Sequence, residues 1–499
     1  MTDTAAYDPH PPTTGLATAT AAQIAGELAS GRTTSTELVT ALLERIRVVD
    51  GPGDLHLAAV LATAPDALEQ AARLDAERAA GAVRGPLHGV PVLVKDNIET
   101  VGLPGTAGSL ALAGRAVVRD APLVAALRAA GLLVLGATNL SEWANLRSPA
   151  STSGWSAVGG LTGNPWALDR SAGGSSSGSG AAVAAGLAPL AIGTETDGSI
   201  VCPSSFNGCV GLKPTVGLVP TEGVVPLSAS QDSPGPMGRT VADVALLLDA
   251  LTGGSAYGDA PGSVAIGDVQ LGVAGAWLTG HDATDTHFTE TLQLLEESGV
   301  LLTPVDVPAA DAEVELCELH VLLCETRDGL DAYLASRAGE GVRSLDDVVD
   351  FNVEHADEEL AHFGQEHFER ALGTDGTADA DYPAARAACG DDNEISRPEM
   401  RIRPPSGLIT PEAIFASVDF PAPLAPISAT TSPRGMARST SSSACVAPNR
   451  FDSEMRESAG ASVQDNKHRS KCRSARQCLP SPQALERALK EVKIILLVL

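Results

Sequence analysis

Residues 171–199 read SAGGSSSGSGAAVAAGLAPLAIGTETDGS, and three signals in this stretch decide how the chain folds. Ser171 to Gly180 is a loop of serine and glycine that runs straight into Ala181-Ala-Val-Ala-Ala-Gly186, so it opens a closely packed helix of small residues. Leu190 to Ile192 reads as a short buried strand, and Thr194-Glu-Thr-Asp-Gly-Ser199 as the turn beyond it. Val210-Gly-Leu-Lys-Pro214 follows as another strand and its end. Upstream, Val90 to Val94 is an apolar run after Gly and Pro, the pattern of a buried strand ending at Lys95-Asp96.

Working outward, residues 20–49 read as two helices, the second opened by a capping box from Thr34 to Glu37 with Leu38, Leu42, Leu43 and Ile46 on one face. An amphipathic stretch spans 65–80, a helix 121–130, and a strand Leu132 to Leu135. Thr240 with Asp243 caps a helix over 241–252, and a strand-helix-strand unit occupies 270–274, 284–298 and 300–306. Alternating helices and strands predict an α/β fold whose mixed, mainly parallel sheet is covered by helices on both faces.

The chain has 499 residues and a formal charge of −28, a field that repels phosphate backbones and anionic lipid and so argues against nucleic-acid or membrane partners. The N-terminus shows no basic region followed by an apolar stretch, and the apolar run Ile494 to Leu499 is too short to span a bilayer, so the expected location is the cytoplasm. The eight cysteines form no CxxC pair; Cys202, Cys209, Cys317 and Cys324 lie in apolar surroundings and read as buried thiols. Beyond residue 390 the character changes. From residue 395 on there are 15 Lys or Arg against 9 Asp or Glu, whereas the preceding residues hold 19 against 53. Pro, Ser, Thr and Arg dominate this end without a sustained period, apart from one amphipathic stretch at 483–499.

Three motifs carry chemistry. Ser199 follows Asp197-Gly198 beyond a strand, where a turn presents a hydroxyl while the N–H groups of Thr196, Asp197 and Gly198 converge as an oxyanion hole. A plain structural Gly-Ser turn is the competing reading. Gly174-Ser-Ser-Ser-Gly178 lacks the lysine of a phosphate-binding loop but matches the nucleophile elbow GxSxG, which makes Ser176 a rival nucleophile. That rival requires a later histidine, for which His281, His287 and His320 are available without a recognisable strand-end context. Lys95 is either a solvated strand end or, if buried, a neutral amine competent as a base.

Together, Gly85-Pro-Leu-His-Gly-Val-Pro-Val-Leu-Val-Lys-Asp-Asn97, Gly105-Thr-Ala-Gly-Ser109, the Ser-Gly loop with its helix, and Gly193 to Ser199 continuing to Gly211-Leu-Lys-Pro-Thr215 resemble the amidase signature family. The resemblance covers about residues 15–375. It implies Lys95 as base, Ser175 as the bridging serine next to a cis peptide, and Ser199 as the nucleophile that forms an acyl-enzyme. It implies no metal and no organic cofactor. Where many members read Asp-Thr-Gly-Gly-Ser-Ile-Arg, this chain reads Glu195-Thr-Asp-Gly-Ser-Ile-Val201. With Asn139-Leu-Ser-Glu-Trp-Ala144, Ser153-Gly-Trp-Ser156 and Gln231-Asp-Ser-Pro-Gly-Pro-Met237, it looks most like the bacterial peptide amidase branch. On that basis Ser153, Gly154 and Trp155 are expected to bind substrate, and Trp143 and Trp155 either line a cleft or simply pack.

The expected organisation is a flexible N-terminus at 1–14, an amidase domain at 15–389, and an atypical, partly disordered tail at 390–499 in place of the family's closing strands. The expected partner is a small-molecule or peptide amide, with the chain a monomer or homodimer. Two other functions compete: the glutamine-hydrolysing component of an amidotransferase, and a non-catalytic remnant disabled by its replaced C-terminus.

Overall fold

The computed structural model describes residues 15, 17–52, 56–254, 256–259, 265–274, 280–305 and 312–391. The expected flexible N-terminus and the tail beyond residue 391, including the stretch at 483–499, lie outside the described residues.

Local signals set the first elements. Helices α1 (Ala21–Ala29) and α2 (Ser35–Arg45) start on Thr20 and Thr34, whose hydroxyls accept from the backbone N–H of Gln23 and Glu37 while those side chains accept from the threonine N–H groups. Then come β1 (Val60–Thr63), α3 (Ala67–Ala79), β2 (Pro91–Lys95), α4 (Pro122–Ala129) and β3 (Leu133–Thr138). Short β4 (Trp155–Ser156) and β5 (Gly160–Leu161) precede α5 (Ser177–Ala184), β6 (Leu190–Glu195), α6 (Val201–Asn207), β7 (Val210–Gly211), β8 (Ser233–Gly238) and α7 (Val241–Thr252). Next are β9 (Gln270–Ala274), α8 (Asp282–Glu297) and β10 (Leu301–Val305). Five α-helices close the described chain: α9 (Ala312–Ser336), α10 (Leu345–Glu354), α11 (Ala356–Glu359), α12 (Glu366–Leu372) and α13 (Tyr382–Asp391).

The main sheet is mixed, with strand order β1-β3-β2-β6-β8-β7. Its parallel pairs are the central ones, β3 with β2 and β2 with β6; β1, β8 and β7 join antiparallel at the flanks. Parallel pairing is thus confined to the middle of the sheet. Every residue of β2, β3 and β6 is buried, which is why these strands read as continuous Val, Leu, Ile and Ala rather than as an alternation.

Helix α5 packs across β2, β3, β6 and β8. A Cβ on Gly178 would sit 2.3 Å from the Ala59 carbonyl oxygen and 2.6 Å from that of Asn139. One on Gly180 would sit 2.9 Å from the Pro203 carbonyl oxygen. The small residues after 176 therefore let this helix lie against neighbouring backbone, a contact a larger side chain would prevent.

The strand-helix-strand unit at 270–305 forms its own two-stranded parallel sheet with a small core of Val269, Leu271, Leu295 and Val300. Helices α9, α10 and α12 bury Leu323, Leu330, Leu334, Leu345, Val348 and Phe368 against Ala107, Leu112 and Trp143, making a second core. Of the four thiols expected to be buried, only Cys324 is; Cys202, Cys209 and Cys317 are half-buried. Cys209 and Cys317 still pack against core clusters, whereas Val201 and Leu316, the apolar neighbours of Cys202 and Cys317, are exposed. Among the described residues, no helix is long and apolar enough to cross a membrane.

Candidate active site

Parallel strands β2 and β6 end side by side, and the site grows from their carboxyl ends, where open α/β sheets present functional groups. Lys95 is the last residue of β2 and is wholly buried. Its Nζ lies 2.8 Å from Ser175 Oγ, 2.8 Å from Thr194 Oγ1 and 3.3 Å from the Thr194 carbonyl oxygen. Asn97 Nδ2 donates to the same Thr194 hydroxyl at 3.0 Å, which fixes that oxygen beneath the amine. Burial pulls the Lys95 amine from its ordinary value of 10.5 to about 7, against the opposing pull of the Glu195 and Asp232 carboxylates. The solvated-strand-end reading of Lys95 is therefore set aside by its position.

Ser175 is buried and follows the cis peptide bond Gly174–Ser175. Its carbonyl accepts from Ser141 N–H at 3.0 Å, while Ser141 Oγ accepts from Gly154 N–H at 2.8 Å. One serine thereby ties three segments of the site together. Ser176, the rival nucleophile, is also fully buried. Its hydroxyl donates to the Thr194 carbonyl and accepts from the Thr194 N–H, both at 3.2 Å, so it serves as a bolt between the Ser-Gly loop and β6. Its N–H donates to the Ser199 carbonyl at 3.0 Å, bringing the loop against the turn that carries Ser199. Of the histidines the elbow reading needs, His287 pairs with Glu290 and His281 caps α8.

The turn 196–199 is held from several sides. Glu195 Oε2 accepts from the N–H groups of Ile200 and Val201 at 2.6 and 2.9 Å, anchoring the start of α6. Thr196 Oγ1 donates to Asp232 Oδ1 at 2.6 Å, and Lys213 Nζ donates to the Thr196 carbonyl at 2.5 Å. Asp232 is itself fixed by the N–H groups of Leu227 and Ser228 at 2.9 and 3.0 Å. Gly198 has φ +76° and faces open space where a Cβ would be. No turn or side-chain hydrogen bond among the described residues uses the N–H groups of Thr196, Asp197 or Gly198. The Asp197 side chain is exposed, and Ser199 is 8% exposed with its hydroxyl in no hydrogen bond to another described residue. A small cavity lies beside the end of β6, lined by Thr194–Thr196, Val224, Val225, Leu227 and Asp232–Pro234.

The residues expected to bind substrate sit in a tightly tied segment. Ser153 Oγ accepts from Asn145 Nδ2 at 3.1 Å, and Gly154 adopts φ +88°. Trp155 is buried, edge-on to His362 and Phe363 with ring centroids at 4.9 and 5.3 Å. Trp143 packs in the same manner on Phe368 at 5.7 Å. Both tryptophan rings thus rest on aromatic neighbours. The sequence reading missed Thr194, Ser141, Glu195 and Asp232. It also missed a wholly buried ionic cluster in which Arg147 pairs with both Glu142 and Glu359. Burial, then the neighbouring Glu359 charge, pushes Glu142 well above the usual carboxylate range. Glu359 accepts from Ser109 Oγ at 3.0 Å and Leu110 N–H at 2.7 Å, so the cluster clamps α11 onto the loops behind the site.

The family model described as Amidase matches residues 37–390. A protein of Arabidopsis thaliana named as a probable amidase is 39% identical over 372 residues, 71% of this chain and 72% of its own length. A glutamyl-tRNA(Gln) amidotransferase subunit from Thermobifida fusca is 39% identical over 358 residues, 67% of this chain and 70% of its own. Among solved structures, the native peptide amidase of Stenotrophomonas maltophilia superposes with a TM-score of 0.69 at 44% identity, covering 76% of this chain and 79% of that one. The chain belongs to the amidase signature family of hydrolases.

Proposed function

We propose that this amidase cleaves its substrate through a Ser-Ser-Lys relay, with Ser199 as nucleophile, Ser175 as bridge and Lys95 as base. The observation that carries the reading is Lys95: fully buried, 2.8 Å from Ser175 Oγ, with its amine brought to about 7. As Ser199 Oγ bonds to the amide carbon, its proton passes to Ser175, whose own proton passes to Lys95. The N–H groups of Thr196, Asp197 and Gly198 stabilise the oxyanion, while the exposed Asp197 carboxylate points away from it. Collapse breaks the carbon–nitrogen bond, and the relay returns the proton to the departing ammonia. Water then attacks the ester, giving its proton to the relay and releasing the carboxylic acid.

The substrate class is small amides or the C-terminal amides of peptides. The 44% identity to the peptide amidase of S. maltophilia supports it. The competing reading, a glutamine-hydrolysing amidotransferase component, draws on the 39% identity to the T. fusca protein. Ammonia release from an N-blocked dipeptide amide, compared with free glutamine, separates them. Turnover of the peptide amide that is lost in Ser199→Ala supports the proposal; turnover of glutamine alone selects the competitor. A folded protein that turns over neither is the disabled remnant, a reading that draws on the family match ending at residue 390. That same end point supports an amidase domain at 15–389, which we place in the cytoplasm as a monomer or homodimer.

A further inference from the structure

Helix α9 places His320 and Cys324 four residues apart, on one face of the helix. The chain returns to that face at Asp379, just past a short turn at Gly376–Ala378. His320 Nε2 lies 3.3 Å from Asp379 Oδ1 and 3.7 Å from Cys324 Sγ, and all three donor atoms fall within 4.8 Å of one another. In a tetrahedral zinc site with ordinary bond lengths, nitrogen-to-oxygen edges are about 3.3 Å and nitrogen-to-sulfur edges about 3.5 Å. The two nearest separations match those edges. One imidazole, one thiol and one carboxylate make a mixed donor set that suits a borderline-soft divalent ion rather than magnesium or calcium.

We propose that His320, Cys324 and Asp379 bind a zinc-class divalent cation, with water in the fourth position. Several features favour an ion here over a bare ion pair. Cys324 is buried while the His320 and Asp379 side chains are 29% and 21% exposed, so the group has a closed inner end and a solvent-facing mouth. Asp379 Oδ1 accepts from Asp381 N–H at 3.0 Å, which aims the carboxylate toward α9. The ion links α9 to the turn ahead of α13, the last described helix, and takes no part in the relay.

The test uses the full-length protein, stripped with a chelator and titrated with Co²⁺ as a spectroscopic stand-in for zinc. The expected result is tetrahedral d–d bands with a thiolate-to-cobalt charge-transfer band, displaced by Zn²⁺. Cys324→Ser removes the charge-transfer band, and Asp379→Asn, at the mouth of the site, weakens the affinity at least about tenfold. Two results overturn the proposal: no cobalt spectrum at a several-fold excess of metal, or a charge-transfer band that survives unchanged in Cys324→Ser and Asp379→Asn, which assigns the ion to other thiols such as Cys445, Cys472 or Cys478. If Cys324→Ser fails to fold, Asp379→Asn decides the question alone.

Discussion

Lowering the pH through 7 removes the proposed base without altering a residue. With its amine brought to about 7, Lys95 is about half neutral at pH 7. An ordinary lysine at about 10.4 is neutral in only about one molecule in 2,500 at that pH. Burial therefore multiplies the population of competent base about 10³-fold, equivalent to ~4 kcal/mol of barrier. The sign follows from the chemistry: protonation destroys the base, so activity is lost on the acid side and kept on the alkaline side. The expected profile of kcat/KM is flat above about pH 8 and falls tenfold per unit below about pH 6, a total loss of ~100-fold between pH 9 and pH 5. Initial rates of ammonia release at low concentrations of a peptide amide give this profile directly. A rate that climbs tenfold per unit from pH 7 to pH 10 would mean an unperturbed lysine and would refute the reasoning. A rate unchanged down to pH 5 would exclude Lys95 as the base.

Other substitutions separate chemistry from support. Ser176→Ala keeps kcat within a few-fold and loses about 1–3 kcal/mol of stability, because its hydroxyl bridges the Thr194 backbone; a collapse of kcat with unchanged melting would restore it as a nucleophile. Arg147→Met leaves the buried Glu142 and Glu359 carboxylates without their counter-charge and costs about 3–5 kcal/mol, read as a lower urea midpoint; an unchanged midpoint contradicts the clamp. Gly178→Ala drives a methyl to within 2.3 Å of the Ala59 carbonyl oxygen and lowers the melting temperature, whereas Gly26→Ala in α1 meets nothing within 4 Å and leaves it level or slightly raised.

Elements written in local sequence were legible. The capping box at Thr34 and Glu37 and the unbroken apolar run into Lys95 both appear in the structure where they were read. The small-residue helix read from Ala181 onward is present but begins at Ser177, so Ser177–Gly180, read as loop, are helical; glycines at 178 and 180 fit there because the helix lies against neighbouring backbone. The supports of the site were not legible, because each joins residues far apart in the chain. Asp232 meets Thr196 across 36 residues, and Glu359 meets Arg147 across 212. Nothing in a window around Glu359 marks it as buried; it looks like one more acid in the stretch Asp357-Glu-Glu359. The helical layer from α9 to α13 is hard to read in sequence for a related reason. Its apolar positions, such as Leu323, Leu330 and Leu334, are interleaved with acidic residues and face the loops around Ala107 and Trp143, not the sheet. The contacts of the Trp155 ring with His362 and Phe363 were out of reach of a local window for the same reason, since they join residues far apart in the chain.

The most direct test is labelling with a fluorophosphonate probe, located by peptide mass spectrometry, on the natural chain beside Lys95→Ala. The relay predicts label on Ser199 that is lost when the lysine is removed. Label on Ser176, or label on Ser199 that persists at the same rate without Lys95, would contradict it.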